Sequence, residues 1–225
     1  MCDRPAAPRR RPGFYQSWAD AEGVEVLAVQ PPGREARAAE LPITDLRRLV
    51  RQTANEIAGI CESRPTALIG HPGGARYAFE LSRALERANR GPALLGVCGV
   101  SAPDQPSPVL DRDRRADDRR PRRRMLESFN ALIRADARLY TGLGIQEPVR
   151  LRCAIAAFAG DHDPLAEPKE MAGWHAWATA PEAFTLHEYP GDNFFIRHRF
   201  QAMLDDLLTA LARTVPATLA ASWAY

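Results

Sequence analysis

The amino-acid sequence predicts an α/β fold in which a mostly parallel central sheet is flanked by helices. Three observations lead to this prediction. Short apolar runs alternate along the chain with longer segments whose apolar residues recur every three or four positions, the pattern of repeated strand–helix units. Several runs end at glycines or prolines, as strands do where they enter turns. The length of 225 residues suits one large domain with a substantial core.

Five apolar runs have the length and the boundaries of strands. They cover residues 24–29, 66–70, 93–100, 149–159 and 184–189. The first ends at Pro31-Pro32-Gly33, and the fourth runs into Gly160. The last alternates apolar and polar residues before the turn at Pro190-Gly191. These five runs are the predicted strands of the sheet.

Five longer segments have the apolar spacing of helices. They cover residues 42–63, 75–87, 122–140, 168–178 and 195–214. In the first of them, Leu46, Leu49 and Val50 begin the apolar face, and Thr44 or Asp45 is placed to cap the helix. No internal repeat occurs in the sequence. The alternation of strands and helices therefore covers most of the chain.

Two segments lack the apolar residues that a folded core needs. We expect residues 1–12 to be disordered or weakly held and residues 13–225 to form a single domain. Residues 111–124 have no apolar side chain except Ala116 and Pro121, so they cannot join a core. We interpret this segment as a solvated loop because its acidic and basic residues alternate. Docking to an acidic surface, such as a carrier protein or a nucleotide phosphate, is the alternative.

Composition excludes several classes of protein. The formal net charge of +2 is too small to favour a nucleic-acid partner, and no apolar stretch is long enough to span a membrane. The basic N-terminal residues have no apolar segment behind them, unlike a secretory signal. The four cysteines are scattered without metal-binding spacing, so we predict reduced thiols in a cytoplasmic protein and no metal site.

The turn after the second predicted strand carries the first motif of chemical interest. The strand enters the sequence Gly70-His71-Pro72-Gly73-Gly74, which a helix follows. This is the nucleophile-elbow arrangement of α/β-hydrolases, in which the central residue of Gly-x-Ser-x-Gly is a serine on a strained turn. Here Pro72 occupies that position. Proline has no nucleophilic atom, and its ring fixes φ near −65°, which disfavours the strained conformation.

Two later turns hold the remaining candidate residues. Gly160-Asp161-His162-Asp163-Pro164 follows a predicted strand, where such folds place the acid that orients the catalytic histidine. Asp163 is the better candidate for this acid, and Asp161 is its neighbour. After the last predicted strand, Asn193 stands where a histidine would act as general base. Asparagine cannot accept and return a proton near neutral pH.

With these motifs the chain resembles the type II thioesterases of polyketide and nonribosomal peptide synthesis. The residues that carry the resemblance run in order along the chain: Phe14-Tyr15, Trp18, Val24 to Val26, Val29 to Glu35, Arg37, Leu41-Pro42, Thr44 to Leu46, Arg64-Pro65, Ala78 to Leu81, Ser101 to Pro103, Leu132 to Asp136, Gly160 to Leu165, Pro190-Gly191 and Phe194-Phe195. The Pro-Gly-Arg-Glu segment is the most specific of them. Such a resemblance implies an α/β-hydrolase fold and hydrolysis of acyl thioesters from the phosphopantetheine arm of an acyl or peptidyl carrier protein. It implies no cofactor of the protein's own.

The sequence departs from this family at four places. The family's first strand, with its Pro-x-x-Gly-Gly oxyanion loop, has no counterpart in residues 1–13, and we expect that strand to be missing. The lid, within a lid or linker region at about 104–145, looks shortened and replaced by the charged segment 111–124. Pro72 and Asn193 replace the family's serine and histidine. Asp163 is thus the only triad position that keeps its residue.

The sequence therefore leaves several interpretations open. The first is a thioesterase-like protein of an antibiotic pathway, with thioester hydrolysis as its ancestral activity. A local reading-frame shift in GC-rich DNA is one origin for its Arg/Pro-rich segments. The second is a catalytically inactive carrier-binding or accessory protein. The third is a repurposed non-hydrolytic enzyme that takes acid–base groups from His71, Asp161, His162 and Asp163. Cys98 is a further candidate nucleophile, although its apolar surroundings predict a buried thiol.

Overall fold

A computed structural model describes residues 18, 21, 23–33, 37, 39–41, 43–105, 139–140 and 146–215. The chain forms two compact units, Met1–Ile43 and Thr44–Tyr225. The predictions for residues 1–12, for the charged segment 111–124 and for most of the helix at 122–140 lie outside the described residues. The same holds for the larger part of the lid region at 104–145. The boundaries predicted for the single domain stay a prediction.

The described part of the second unit contains one sheet of four parallel strands in the order β1-β2-β3-β4. These strands are β1 (Ala67–Gly70), β2 (Leu94–Cys98), β3 (Ala154–Gly160) and β4 (Phe184–Tyr189). The register pairs Ala67 with Leu94, and Leu94 with Ala154. Because all four strands are parallel, the loops that follow them meet at the carboxyl edge of the sheet. The prediction of a mostly parallel sheet flanked by helices is confirmed.

Helices connect and cover these strands. Among the described residues they include α1 (Leu46–Ser63), α2 (Gly73–Arg87), α3 (Pro168–Met171) and α4 (Phe195–Thr214). Asp45 is the residue that caps α1, since its Oδ1 accepts hydrogen bonds from the backbone N–H groups of Arg47 at 2.8 Å and Arg48 at 3.2 Å. Helix α4 has the bounds that the sequence predicts and contains a kink at Arg199. The predictions for the described strands β1, β2 and β4 agree to within two residues at either end.

The core places α2 against the central strands. Residues of β2 are buried throughout, and all but the first residue of β3 are buried. Phe79 of α2 meets Trp174 and Trp177 edge-on, with ring centroids 5.4 and 5.0 Å apart. The indole N–H of Trp174 donates to the carbonyl of Val100 at 2.8 Å. This bond holds the chain just after β2, next to the carboxyl edge.

Three predicted elements differ from the structure. Residues 24–29 form no strand: the described residues of the first unit contain no strand that could pair with them, and Leu27 and Val29 are exposed. Strand β3 starts at Ala154, because the preceding chain makes only an isolated bridge between Leu151 and Ala178. The helix predicted at 168–178 becomes 3₁₀ from Ala172 to Trp177. The carbonyl of Trp177 accepts from the N–H of Leu151 at 2.8 Å and so serves that bridge.

Candidate active site

The elbow between β1 and α2 is a close-packed turn. A Cβ atom on Gly70 would overlap the carbonyl group of Gly74 and the amide nitrogen of Ala75, so only glycine fits there. Pro72 is the N-cap of α2, with φ −34° and ψ −54°, and it makes no side-chain cap. Its backbone is in the right-handed helical region, with a φ about 30° less negative than the −65° typical of proline. The Tyr140 hydroxyl donates to the carbonyl of the residue after Pro72.

His71 links the elbow to the loop after β4. Its Nε2 lies 2.9 Å from the backbone carbonyl oxygen of Asn193. A carbonyl only accepts hydrogen bonds, so Nε2 carries the proton of a neutral ring. Burial, together with the Arg197 guanidinium, lowers the pKa of His71 to about 4, against the opposing effect of this hydrogen bond. The imidazole is therefore neutral at pH 7 and holds the two loops together.

Asp163 lies in the loop after β3 with only 1% of its surface exposed. Its Oδ1 accepts hydrogen bonds from the backbone N–H groups of Leu165 at 2.8 Å and Ala166 at 3.3 Å. Its Oδ2 is buried, and no donor to it lies among the residues that the structure describes. Burial raises the pKa of Asp163 to about 6 against those two bonds, and the carboxylates of Asp192 and Glu170 add to the rise. One oxygen is thus held while the other lacks the donor that a triad histidine would provide.

Asn193 is as deeply buried as Asp163, with 1% exposure. Its Oδ1 is buried and has no hydrogen-bond partner in the described ranges. The neighbouring turn is fixed by the carboxylate of Asp192, which accepts from the N–H of Phe194 at 2.8 Å. A Cβ atom on Gly160 would lie 2.5 Å from the carbonyl oxygens of Gly191 and Asp192. The turn before Asn193 is therefore packed directly against the end of β3.

Asp161 and His162 form a hydrogen-bonded pair at the same edge. Oδ1 of Asp161 lies 2.6 Å from Nδ1 of His162 and also accepts from the N–H of Gly191 at 2.8 Å. The backbone N–H of His162 donates to the carbonyl of Gly191 at 3.0 Å. The hydrogen bonds that the Asp161 carboxylate accepts from the Gly191 N–H and from the His162 ring lower the pKa of Asp161. Both residues are among the acid–base candidates that the sequence indicates, but their pairing depends on the turn geometry and is not evident from the sequence.

Two other features bear on catalysis. Cys98 is fully buried at the end of β2, and burial strongly raises the pKa of its thiol, so it supplies no thiolate near neutral pH. No group of His, Cys, Asp or Glu suited to a metal ion occurs in the part of the chain that the structure describes. Among those same residues, no helix is both long and apolar enough to cross a membrane.

A cavity of about 560 Å³ lies at the opposite edge of the sheet. It is lined by the first residues of β2 and β3, among them Leu94 and Ala154, and by the last turn of α4 at Arg213 and Thr214. Parallel α/β sheets bind ligands at the carboxyl ends of their strands. Pro72, Asp163 and Asn193 lie at that edge, so this cavity is separate from the candidate site.

The parallel sheet, the glycine-bordered elbow and the order elbow, acid, base position along the chain define a member of the α/β-hydrolase class. A family model, the thioesterase domain, matches residues 12–211, and the chain belongs to this family. Both the predicted family and the predicted fold class are confirmed.

Relatives and solved structures agree with this assignment. Gramicidin S biosynthesis protein GrsT of Aneurinibacillus migulanus is 29% identical over 200 residues, which span 81% of this chain and 76% of the relative. Thioesterase PikA5 of Streptomyces venezuelae is 30% identical over 199 residues, spanning 82% and 70%. The structure of the type II thioesterase BorB from the borrelidin biosynthetic cluster superimposes with a TM-score of 0.72 at 30% identity. It covers 93% of this chain and 94% of that one.

Proposed function

We propose that this protein recognises acyl or peptidyl thioesters on the phosphopantetheine arm of a carrier protein, in the cytoplasm and within a polyketide or nonribosomal peptide antibiotic pathway. We further propose that Pro72 and Asn193 occupy the nucleophile and base positions, and that the serine route of hydrolysis is closed. Membership of the thioesterase family supports the ligand class. Pathway names among the relatives, such as gramicidin S biosynthesis and the borrelidin cluster, support the setting.

One observation carries the proposal: the elbow holds Pro72, which has no nucleophilic atom, and the buried acid Asp163 receives no hydrogen bond at Oδ2 from the described residues. In the serine mechanism a hydroxyl attacks the carbonyl, a histidine takes its proton, and an aspartate orients the histidine. The elbow here offers a ring carbon in place of the hydroxyl. Asn193 offers an amide in place of the imidazole, and Oδ2 of Asp163 has no donor among the described residues. Loss of such groups slows the triad route by orders of magnitude.

The frame around these positions is nevertheless intact. Gly70 and Gly160 still permit the close backbone approaches that shape the two turns. Oδ1 of Asp163 still receives two backbone hydrogen bonds, although burying this carboxylate opposes folding at neutral pH. Retention of a costly group in an intact frame is typical of a site that still has a ligand. The thioester-bearing arm is the ligand that the family indicates.

Binding and acylation of the protein are measured separately to test this function. The fluorescently labelled protein is titrated with an acyl carrier protein that has an acyl-phosphopantetheine arm. Fluorescence anisotropy reports binding. Carrier protein without the arm is the matched control. We expect tighter binding of the loaded carrier and no acylated protein in intact-mass spectra. Equal affinity for both carriers, or no binding to either, would contradict the ligand assignment, whereas an acyl adduct would contradict the closed serine route.

A further inference from the structure

We propose that Asp161 and His162 form a general-base pair with which this protein directs water, rather than a serine hydroxyl, against the thioester carbonyl. The proposal rests on the proposed function, since the carrier-borne thioester is its substrate. It assigns catalysis to residues outside the three triad positions. The pair lies in the loop after β3, and His162 directly precedes Asp163.

The geometry of the pair is that of an oriented imidazole. Nδ1 of His162 lies 2.6 Å from Oδ1 of Asp161. A carboxylate only accepts, so Nδ1 carries the proton and the lone pair of a neutral ring is on Nε2. No hydrogen bond to Nε2 is made by any residue that the structure describes. An acid that fixes the tautomer of a histidine and leaves its other nitrogen free is the arrangement of a general base.

Backbone contacts hold this pair in place across two loops. The N–H of Gly191 donates to Oδ1 of Asp161 at 2.8 Å, and the carbonyl of Gly191 accepts from the N–H of His162 at 3.0 Å. The N–H of Asp161 donates to the carbonyl of Tyr189 at 2.9 Å. Gly160 permits these contacts because any side chain there would meet the carbonyls of the turn. The pair is therefore supported by the same packing that shapes the candidate site.

The side chain of His162 is 81% exposed, which gives Nε2 direct access to water and to a ligand delivered by a large partner. Nε2 is thus open to solvent, while Nδ1 on the other side of the ring is held by the Asp161 carboxylate. The base can therefore take a proton from water while the acid keeps the tautomer fixed.

The reaction balances without any co-reactant except water. Nε2 of His162 takes one proton from water while the water oxygen bonds to the acyl carbon and the carbonyl electrons move to its oxygen. The tetrahedral intermediate then re-forms the carbonyl and breaks the carbon–sulfur bond. The departing sulfur takes the proton from Nε2. The products are the free acid and the phosphopantetheine thiol, and no covalent intermediate with the protein forms.

The test follows release of free thiol from an acyl-pantetheine thioester by the full chain, corrected for spontaneous hydrolysis. We expect turnover that His162→Gln lowers at least about 100-fold, a typical contribution of a general base. His198→Gln removes an exposed histidine of α4 and should leave the rate unchanged. Asp161→Asn should give a smaller loss.

Thermal unfolding of every variant separates catalysis from misfolding, because Oδ1 of Asp161 also supports the Gly191 turn. The proposal is overturned by no turnover in the unmodified protein, by equal rates for His162→Gln and His198→Gln, or by an acyl adduct on the protein. These outcomes leave carrier binding untouched. Failure of the loaded carrier to bind would instead contradict the proposed function. Hydrolysis of the small acyl-pantetheine thioester would still test the Asp161–His162 pair.

Discussion

Asp163 and Pro72 border the same backbone position, Gly99. A Cβ atom added to Gly99 would lie 3.3 Å from Oδ2 of Asp163 and 3.4 Å from Cγ of Pro72. Gly99 has φ +61°, which favours glycine. Oδ2 of Asp163 and the ring of Pro72 therefore both lie against the turn at Gly99. The buried carboxylate thus lies next to an apolar ring, which lowers the free energy of unfolding at neutral pH.

Replacing Asp163 with asparagine should stabilise the protein above pH 6. The folded-state pKa of about 6 lies above the ordinary value of 3.8. The native state therefore holds a proton that the unfolded state has lost between these values, so stability falls as pH rises through this window. Asp163→Asn removes that penalty, which amounts to about 3 kcal/mol at most. Urea unfolding at pH 8 measures the gain; a variant less stable than the unmodified protein would contradict it. Asp163→Ala is the control, because it also removes the acceptor Oδ1.

Replacing His71 with glutamine should change the pH dependence of stability in the direction opposite to that of Asp163→Asn. The pKa of His71 falls from 6.5 to about 4 on folding, so the unfolded state binds the extra proton and stability is lost as pH falls from 6.5 toward 4. This effect and that of Asp163 oppose each other between about pH 4 and pH 6. His71→Gln should therefore reveal a decline in stability with rising pH of up to about 1.4 kcal/mol per pH unit. Urea unfolding from pH 5 to 6.5 checks the slope, and a profile parallel to that of the unmodified protein would refute it.

Sequence patterns predict the elements whose local signals agree with their tertiary contacts. Asp45 caps α1 and Phe195–Thr214 is the last helix, because spacing and capping are local properties. The pattern fails where a partner decides the structure. Residues 24–29 have strand composition, yet the described part of their unit offers no strand beside them. The chain before Ala154 is apolar, yet only Leu151 pairs.

The sequence likewise predicts only part of the candidate site. Chain order and parallel topology place Pro72, Asp163 and Asn193 at one edge of the sheet, and the sequence predicts that much. It does not predict that Oδ2 of Asp163 lacks a donor or that His71 bonds the Asn193 carbonyl. Both contacts join loops far apart in sequence, and their geometry depends on packing at the turns. The Asp161–His162 bond is local, but it too needs the Gly191 turn to hold the acid.

Substitution of Gly70 by alanine should disrupt the elbow. The added methyl group would overlap backbone atoms of Gly74 and Ala75, which cannot move aside as a flexible side chain can. We expect a loss of about 1–3 kcal/mol or more in the free energy of unfolding. Gly59→Ala is the matched control, because nothing lies within 4 Å of its added Cβ and the residue is inside α1. That control should be stabilised by about 0.5–1 kcal/mol. Equal stabilities for both variants in urea unfolding would contradict the overlap predicted at residue 70.

The cysteines should differ sharply in reactivity. Burial strongly raises the pKa of the Cys98 and Cys153 thiols, and it raises that of half-buried Cys61 to a lesser degree. Only the thiolate reacts with iodoacetamide. In a Cys2→Ala variant at pH 8, we expect labelling of Cys61 alone before denaturation and of all three cysteines after it. Peptide mass spectrometry reads out the sites. Rapid native labelling of Cys98 would revive it as a candidate nucleophile.

Restoring two residues together should reopen the serine route. Pro72→Ser supplies a hydroxyl at the N-terminus of α2, and Asn193→His supplies an imidazole that can donate to Oδ2 of Asp163. The link from His71 survives, since it uses the backbone carbonyl of residue 193. Nucleophile and base act as a unit, so each single variant should stay near the rate of the unmodified protein. The double variant should exceed both by about 100-fold or more.

Intact-mass spectra with an acyl-pantetheine thioester should show an acyl adduct on the double variant and on neither single one. Adding Asp163→Ala should remove most of this gain, because the introduced histidine would lose the acid that orients it. Binding of the histidine to Asp163 should also lower the pKa of that acid, since a donor to the carboxylate favours its charged form. The loss of stability between about pH 4 and pH 6 that Asp163 causes should then shrink. A double variant that folds, yet neither acylates nor changes this pH dependence, would show that Asp163 no longer faces the base position.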